Sequence, residues 1–209
     1  MTFQTAELRR QRRQNEAQRA ILDAAGSILL EDGYEHFTMR KLAERCGYTA
    51  PTIYNHFGDK TGLIDAVLEE VFCELVALLE RVHRADDPLD RLRAQFAAFV
   101  DFALRNPTHY RLLNAPRNEA SVSPPSGERA RAMLEEPLQA LAESGRLRID
   151  DTASVQQSFW VLLHGLISLQ TNRPDYEWSA SLLETSLEAM IDGLVHKELV
   201  LREAKEKTA

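Results

Sequence analysis

Thr38–Lys60 reads TMRKLAERCGYTAPTIYNHFGDK, and its punctuation spells two short helices joined by a tight turn. Met39, Leu42, Ala43 and Cys46 recur at spacings of three and four, the period of one buried helix face, and Thr38 stands where a hydroxyl caps the first turn. Gly47 ends that helix, because glycine enters the left-handed backbone region without a Cβ clash. Thr49 is placed to cap the next helix, and Pro51 falls in its first turn, where backbone N–H groups lack partners anyway. Ile53 and Phe57 point inward. Ala50, Pro51, Thr52, Tyr54, Asn55 and His56 are left to share an outer face of small groups and hydrogen bonders, the chemistry that fits a major groove. Asp59 caps whatever follows. A bare helix-glycine-helix pattern also suits any helical hairpin, so the neighbouring residues have to decide.

They point one way. Tyr54-Asn55-His56-Phe57, Lys60 and Gly47-Tyr48-Thr49 are joined upstream by a lead helix carrying Ile21, Leu22, Ala24, Ala25, Ile28 and Leu29, and by the turn Asp32-Gly33-Tyr34. Together, from Gln18 to Leu68, they resemble the DNA-binding domain of the tetracycline-repressor (TetR) family of transcriptional regulators. The chain departs from the usual pattern at Tyr48, after the turn glycine, and at Cys46, before it. The resemblance implies that Arg40, Ala50, Pro51, Thr52 and Asn55 face base edges, and that Thr38, Lys41, Thr49, Tyr54, His56 and Lys60 anchor phosphates.

Charge is distributed to match. The 209 residues carry a net charge of −7, yet residues 1–60 sum to +1 and the remainder to −8. Arg9, Arg10, Arg12 and Arg13 suggest a basic flexible arm over residues 1–14, ahead of a helix-turn-helix domain over 15–60. Such an arm suits a minor groove, or is simply a frayed terminus. No apolar run approaches the ~20 residues of a membrane span, and no export leader opens the chain; a cytoplasmic protein with no membrane partner is expected. Cys46 and Cys73 fall on apolar helix faces and are expected to be buried and unpaired in a reducing compartment.

Beyond Asp59 the pattern is helical almost to the end, so the fold class is all-α, with residues 61–209 forming a second, larger domain. Leu63, Ile64, Val67, Leu68, Val71, Phe72, Leu75, Leu78, Leu79 and Val82 stripe one long helix out of the first domain. Residues 114–127, rich in Ser and Pro, have the composition of a mobile loop. Near the end, Val155, Phe159, Leu162, Leu166 and Leu169 fill one helix face while Trp160, Leu163, His164 and Ile167 fill another. Leu182, Leu183, Leu187, Met190, Ile191, Leu194 and Val195 spread similarly around the last helix. Helices apolar over so much of their circumference call for cover on two sides, and a second copy of the chain, packed through these last two helices, supplies it. The alternative is the centre of a monomeric core.

Asn106-Pro107-Thr108-His109-Tyr110-Arg111-Leu112-Leu113 and the Trp160, His164, Gly165 spacing further resemble the tryptophan-histidine-glycine type of C-terminal domain within this family. That likeness implies a cavity whose small-molecule occupant alters the two readers. Phe96, Phe99, Phe102, Tyr110, Met133, Leu134, Leu138, Trp160 and His164 offer an apolar lining, with His109, His164 and Gln157 as orienting polar groups; each of these residue types also serves as ordinary core. The six histidines are scattered, and the chain lacks a zinc-hydrolase pair, a serine elbow and a phosphate-cradling glycine loop. No enzyme, cofactor or metal is therefore expected. The expectation is a homodimeric regulator, a repressor released from a pseudo-palindromic double-stranded operator by an apolar or aromatic effector. A transcriptional activator, or a ligand-binding or scaffolding helical dimer without operator binding, stands as the alternative.

Overall fold

Thr38 Oγ1 accepts a hydrogen bond from the Lys41 amide at 3.2 Å and so caps a helix over Met39–Cys46, while Gly47 closes it at φ 73° and sends its amide to the Ala43 carbonyl. Thr49 repeats the device three residues ahead, accepting from Thr52 N at 3.4 Å, with Pro51 inside the first turn of Ala50–Phe57. The local signals were sufficient because each serves a backbone group that has no partner inside its own helix.

The computed structural model describes residues 2–114 and 123–196. In chain order these form α1 (Thr2–Asp32), a 3-10 turn (Tyr34–His36), α2 (Met39–Cys46), α3 (Ala50–Phe57), α4 (Lys60–Val82), α5 (Pro88–Arg105), α6 (Pro107–Leu113), α7 (Pro125–Glu143), α8 (Thr152–Asn172) and α9 (Leu182–Leu194). The described residues are all-α; an isolated antiparallel bridge between Leu147 and Val195 is the sole extended pairing among them.

They divide into two compact units, one drawn from Met1–Glu74 and Thr108–Glu128, the other from Leu75–Pro107 and Arg129–Ala209. The division lies inside α4 and gives α6 to the first unit, whereas a boundary at residue 60 was expected. The first core explains why. Ile21, Ala25 and Ile28 of α1 meet Phe37, Leu42 of α2 and Ile53 of α3, and Leu63, Val67 and Leu68 of α4 with Leu112 of α6 close the same cluster. The second unit is built on Leu75 and Leu79, on Leu92, Phe96 and Val100 of α5, on Leu138 and Leu141 of α7, and on Phe159, Leu163 and Ile167 of α8. Arg146, almost fully buried, donates to both carboxylate oxygens of Asp87 at 3.1 and 3.0 Å and to the His196 carbonyl at 3.2 Å.

Four expectations are corrected. Residues 2–14 are helical and continuous with α1 rather than a flexible arm; the stretch holds no glycine or proline, and its Ala, Leu, Arg, Gln and Glu are good helix formers. Of the expected mobile loop, residues 115–122 lie outside the described residues, but 125–127 form the first turn of α7. Pro125 suits that turn, and Glu69 accepts from Ser126 N at 3.0 Å and Ser126 Oγ at 2.7 Å. Cys73 is exposed and Cys46 only half-buried. On α8, Leu163 and Ile167 are buried beside Val155, Phe159 and Leu166, whereas Leu169 is exposed, so the two apolar faces divide differently from their sequence grouping.

Gly62 marks the tightest point of the first unit: a Cβ there would sit 2.2 Å from the Phe57 carbonyl oxygen. Although alanine favours a helix over glycine by ~1 kcal/mol, the backbone atom it meets cannot step aside. Gly62→Ala is expected to destabilise the protein by about 1–3 kcal/mol in urea unfolding; a gain in stability would contradict the close approach.

Candidate nucleic-acid interface and ligand cleft

α3 is eight residues long and fully buries a single one, Ile53. Pro51, Tyr54 and Asn55 are exposed, and Ala50, Thr52 and His56 are half-buried, so the outer face expected from the sequence is present on one short helix. Thr52 Oγ1 lies 2.9 Å from Thr49 Oγ1. The two threonines thus brace each other, and the hydroxyl of Thr49 serves α3 itself.

The cations around α3 differ sharply in how they are committed. Arg40 is highly exposed on α2 and reaches Glu44 one turn on, at 2.9 Å. Lys41 donates to Asp32 at 2.5 Å, and Arg45 makes a bidentate pair with Glu31, at 3.0 and 2.8 Å. The Lys41 hydrogen bond holds the Asp32 carboxyl below the usual carboxylate range, and the Arg45 hydrogen bond does the same for Glu31. These two pairs fasten α2 to the end of α1. Lys60 Nζ donates to the Phe37 carbonyl at 3.0 Å and lies 5.2 and 5.5 Å from the Tyr34 and Phe37 ring centroids. Lys41 and Lys60, expected at phosphates, are therefore occupied in holding the unit together, and Thr38 spends its hydroxyl on the α2 cap.

In the second unit, a cleft of about 400 Å³ is bordered by Phe96, by Arg131, Leu134, Glu135 and Leu138 of α7, and by Ala153, Gln156, Gln157 and Trp160 of α8. It gathers Phe96, Leu134, Leu138, Gln157 and Trp160 from the expected lining. Behind it Trp160 and His164 lie 4.2 Å apart, ring to ring, with Phe99 5.7 Å from His164. Phe102 and Met133 belong to this unit without bordering the cleft, while His109 and Tyr110 fall in the first unit. Arg131, Glu135 and Gln156 were missed. Their signal was available, since residues 131, 134, 135 and 138 share a helical stripe, as do 153, 156, 157 and 160. Arg131 Nη1 sits 3.0 Å from both Glu135 carboxylate oxygens, a charged clasp beside an apolar floor.

The known proteins to which this chain is similar fit both units. Residues 21–67 match the model of bacterial regulatory proteins of the tetR family, and residues 92–194 match that of the tetracycline repressor-like C-terminal domain. The chain belongs to the TetR family. The C-terminal match does not name the tryptophan-histidine-glycine subgroup. Among curated relatives, this TetR-family chain is 35% identical over 94 residues to the HTH-type transcriptional activator FasR of Mycolicibacterium smegmatis, covering 44% of this chain and 43% of that protein. It is 42% identical over 67 residues to the class A tetracycline repressor protein from transposon 1721 of Escherichia coli, covering 32% and 30%. The matched stretches thus span under half the length of these relatives. A TetR family transcription regulator from Marinobacter aquaeolei VT8 superposes with a TM-score of 0.69 at 18% identity, over 90% of this chain and all of that one, a likeness of fold. The family is one of bacterial regulatory proteins, and α2 and α3, inside its N-terminal match, form the helix-turn-helix.

Two outcomes follow from these contacts. Arg40→Ala is expected to leave unfolding unchanged within about 0.5 kcal/mol, whereas Lys60→Ala, which strips a charged donor from a buried carbonyl, costs about 1–3 kcal/mol; equal stabilities in urea would refute the distinction. Burial pushes the His164 imidazole below its ordinary value. Its stabilising contribution is complete above the unfolded value of about 6.5 and is lost as pH falls, because the unfolded chain takes up a proton that the folded chain refuses. His164→Gln should flatten the loss of stability between about pH 7.5 and about pH 5; an unaltered pH profile would exclude His164 as its source.

Proposed function

We propose that the protein acts as a homodimer on double-stranded DNA, with α3 of each subunit in the major groove of one half of a pseudo-palindromic operator. The observation that carries this reading is the intact reader surface: α3 is anchored by Ile53, with Phe57 packed against the same core, and leaves Pro51, Tyr54 and Asn55 outward. Arg40, Ala50, Pro51, Thr52 and Asn55 read base edges, Arg40 suiting guanine O6 and N7 and the methyl of Thr52 suiting thymine. Tyr54 and His56 hold phosphates, with Thr38, Thr49, Lys41 and Lys60 presenting the surface rather than supplying most of its charge.

Dimerisation through α8 and α9 rests on the apolar side chains that one chain leaves uncovered. Val161 is 69% exposed and Leu169 53%, and with Gly165 they form a stripe of i, i+4, i+8 spacing along α8. Ala189 and Gly193 put small groups on the exposed side of α9. Two such pairs of helices make a four-helix interface of the isologous kind, in which each patch meets its own copy.

The cleft between α5, α7 and α8 takes a small effector with an apolar or aromatic body, resting on Phe96, Leu134, Leu138 and Trp160, and a polar end within reach of Gln156, Gln157 and the Arg131–Glu135 clasp. Release of the operator requires that the effector bind the DNA-free form more tightly, since equal affinity shifts nothing. Repression relieved by the effector is the reading we adopt, with the protein acting in the cytoplasm. Sedimentation at micromolar concentration is expected to give a dimer, and Val161→Glu/Leu169→Glu a folded monomer that no longer retards DNA from around its own coding region. Wild-type monomers, or no retardation by the wild type, would defeat the proposal.

A further inference from the structure

The overhang of α1 is the least explained feature of the first unit. Helix α1 continues through residues 2–14, a length of about 20 Å at 1.5 Å per residue, and none of the side chains of Glu7–Glu16 is buried. An exposed single helix of this length is marginal by itself. The side chains of Glu7–Glu16 are also placed where none of them adds to the core. The face that buries Ala17, Ile21 and Ala25 lower down carries Gln14 and Arg10 one and two turns earlier, with Arg9 and Arg13 alongside.

These side chains do not project at random. Arg9, Arg10, Arg13, Gln14 and Ala17 of α1 line one concavity of about 420 Å³ together with His56, the last outward residue of α3. The concavity is therefore continuous with the reader surface. It is also where the uncommitted charge of this part of the chain resides. Among the cations of residues 1–60, Arg19 pairs with Asp23 and Glu70, Arg40 with Glu44, Lys41 with Asp32 and Arg45 with Glu31. Lys60 is bound to the Phe37 carbonyl, and Arg12 faces Glu16 at 3.6 Å. Arg9, Arg10 and Arg13 have no carboxylate partner among the described residues.

We propose that Arg9, Arg10 and Arg13, carried on the overhanging turns of α1 beside His56, form a phosphate clamp that supplies most of the salt-sensitive affinity of this protein for duplex DNA. The clamp rests on the reading of α3 as the groove-facing helix, since α3 places the backbone strand alongside the concavity. The division of labour follows from the ion pairs. A cation already held by a carboxylate brings little net charge to a phosphate, whereas three unpaired guanidiniums release condensed counterions when they neutralise the strand. A rigid helix presents them with less ordering cost than a frayed arm does.

The test uses the full chain and two duplexes: one of about 30 base pairs of random sequence, whose binding is almost wholly electrostatic, and one taken from around the protein's own coding region. The variants are Arg9→Gln/Arg10→Gln/Arg13→Gln, the corresponding triple change to Lys, and the reader variant Thr52→Ala/Asn55→Ala. Glutamine matches arginine closely in helix propensity, and unchanged circular dichroism confirms that α1 persists. The Gln variant is expected to bind random duplex more than about tenfold more weakly at moderate salt, with the slope of log affinity against log salt smaller by roughly five units for a dimer. The Lys variant keeps the wild-type slope. The reader variant keeps the slope and loses preference for the coding-region duplex. A Gln variant with the wild-type slope overturns the clamp while leaving the reader assignment standing. A reader variant that keeps its preference overturns the reader assignment while the slope still decides the clamp. A wild type that binds neither duplex overturns both.

Discussion

The reader helix depends on burial it cannot supply. An eight-residue helix is far below the length at which helices persist alone in water, and α3 offers the core one fully buried residue, Ile53. Its stability is borrowed from α1 and α4, whose Ile21, Ile28, Leu63 and Val67 close over Ile53 and Leu42. That arrangement is what leaves the outer face of α3 unencumbered. A longer or more deeply buried helix would be sturdier and would spend on packing the very residues that now stay exposed.

The same economy governs charge. Polar and ionic contacts inside the first unit mostly tie one element to the next: Asp32 to Lys41 and Glu31 to Arg45 join α1 to α2, and Lys60 joins α4 to Phe37. Exposed ion pairs contribute little stability individually. Their effect here is positional, fixing the entry angle of α2 and hence of α3, and they remove cations from the count available to a polyanion. Net charge by segment is consequently a poor guide to where a phosphate binds. The second unit follows a related pattern, with Arg91 to Glu136 and Arg93 to Glu188 bracing α5 against α7 and α9, while Val161 and Leu169 of α8 stay exposed.

Much of the first unit was legible in the chain. Thr38, Gly47, Thr49 and Pro51 act on backbone groups within four residues of themselves, so their roles are local and readable. Core positions of α2 and α4 followed from period, and those of α1 from the family likeness. Legibility failed where a side chain answers to something distant. Lys41 and Lys60 look like surface cations until the carboxylate and the carbonyl that engage them are in view, 9 and 23 residues away. Cys73, on a stripe that reads as apolar, is exposed. In the cleft of the second unit, Phe96, Leu134, Leu138, Gln157 and Trp160 coincide with the expected lining, whereas Arg131 and Glu135 were not expected, because a charged pair one turn apart has the appearance of an ordinary solvated helix face.

By itself the amino-acid order determined the all-α class, the two caps and the glycine turn of the helix-turn-helix, the family likeness and the surplus of apolar surface near the carboxyl end. All of these arise from short-range sterics and periodicity, which one strand of text records in full. Tertiary structure alone decided that residues 2–14 extend α1 as helix, that the division between units lies within α4, which half of the α8 circumference is covered, and which cations are spent in ion pairs. Those outcomes depend on which groups meet across space, and Coulombic and packing energies take their values from distances that sequence separation does not fix.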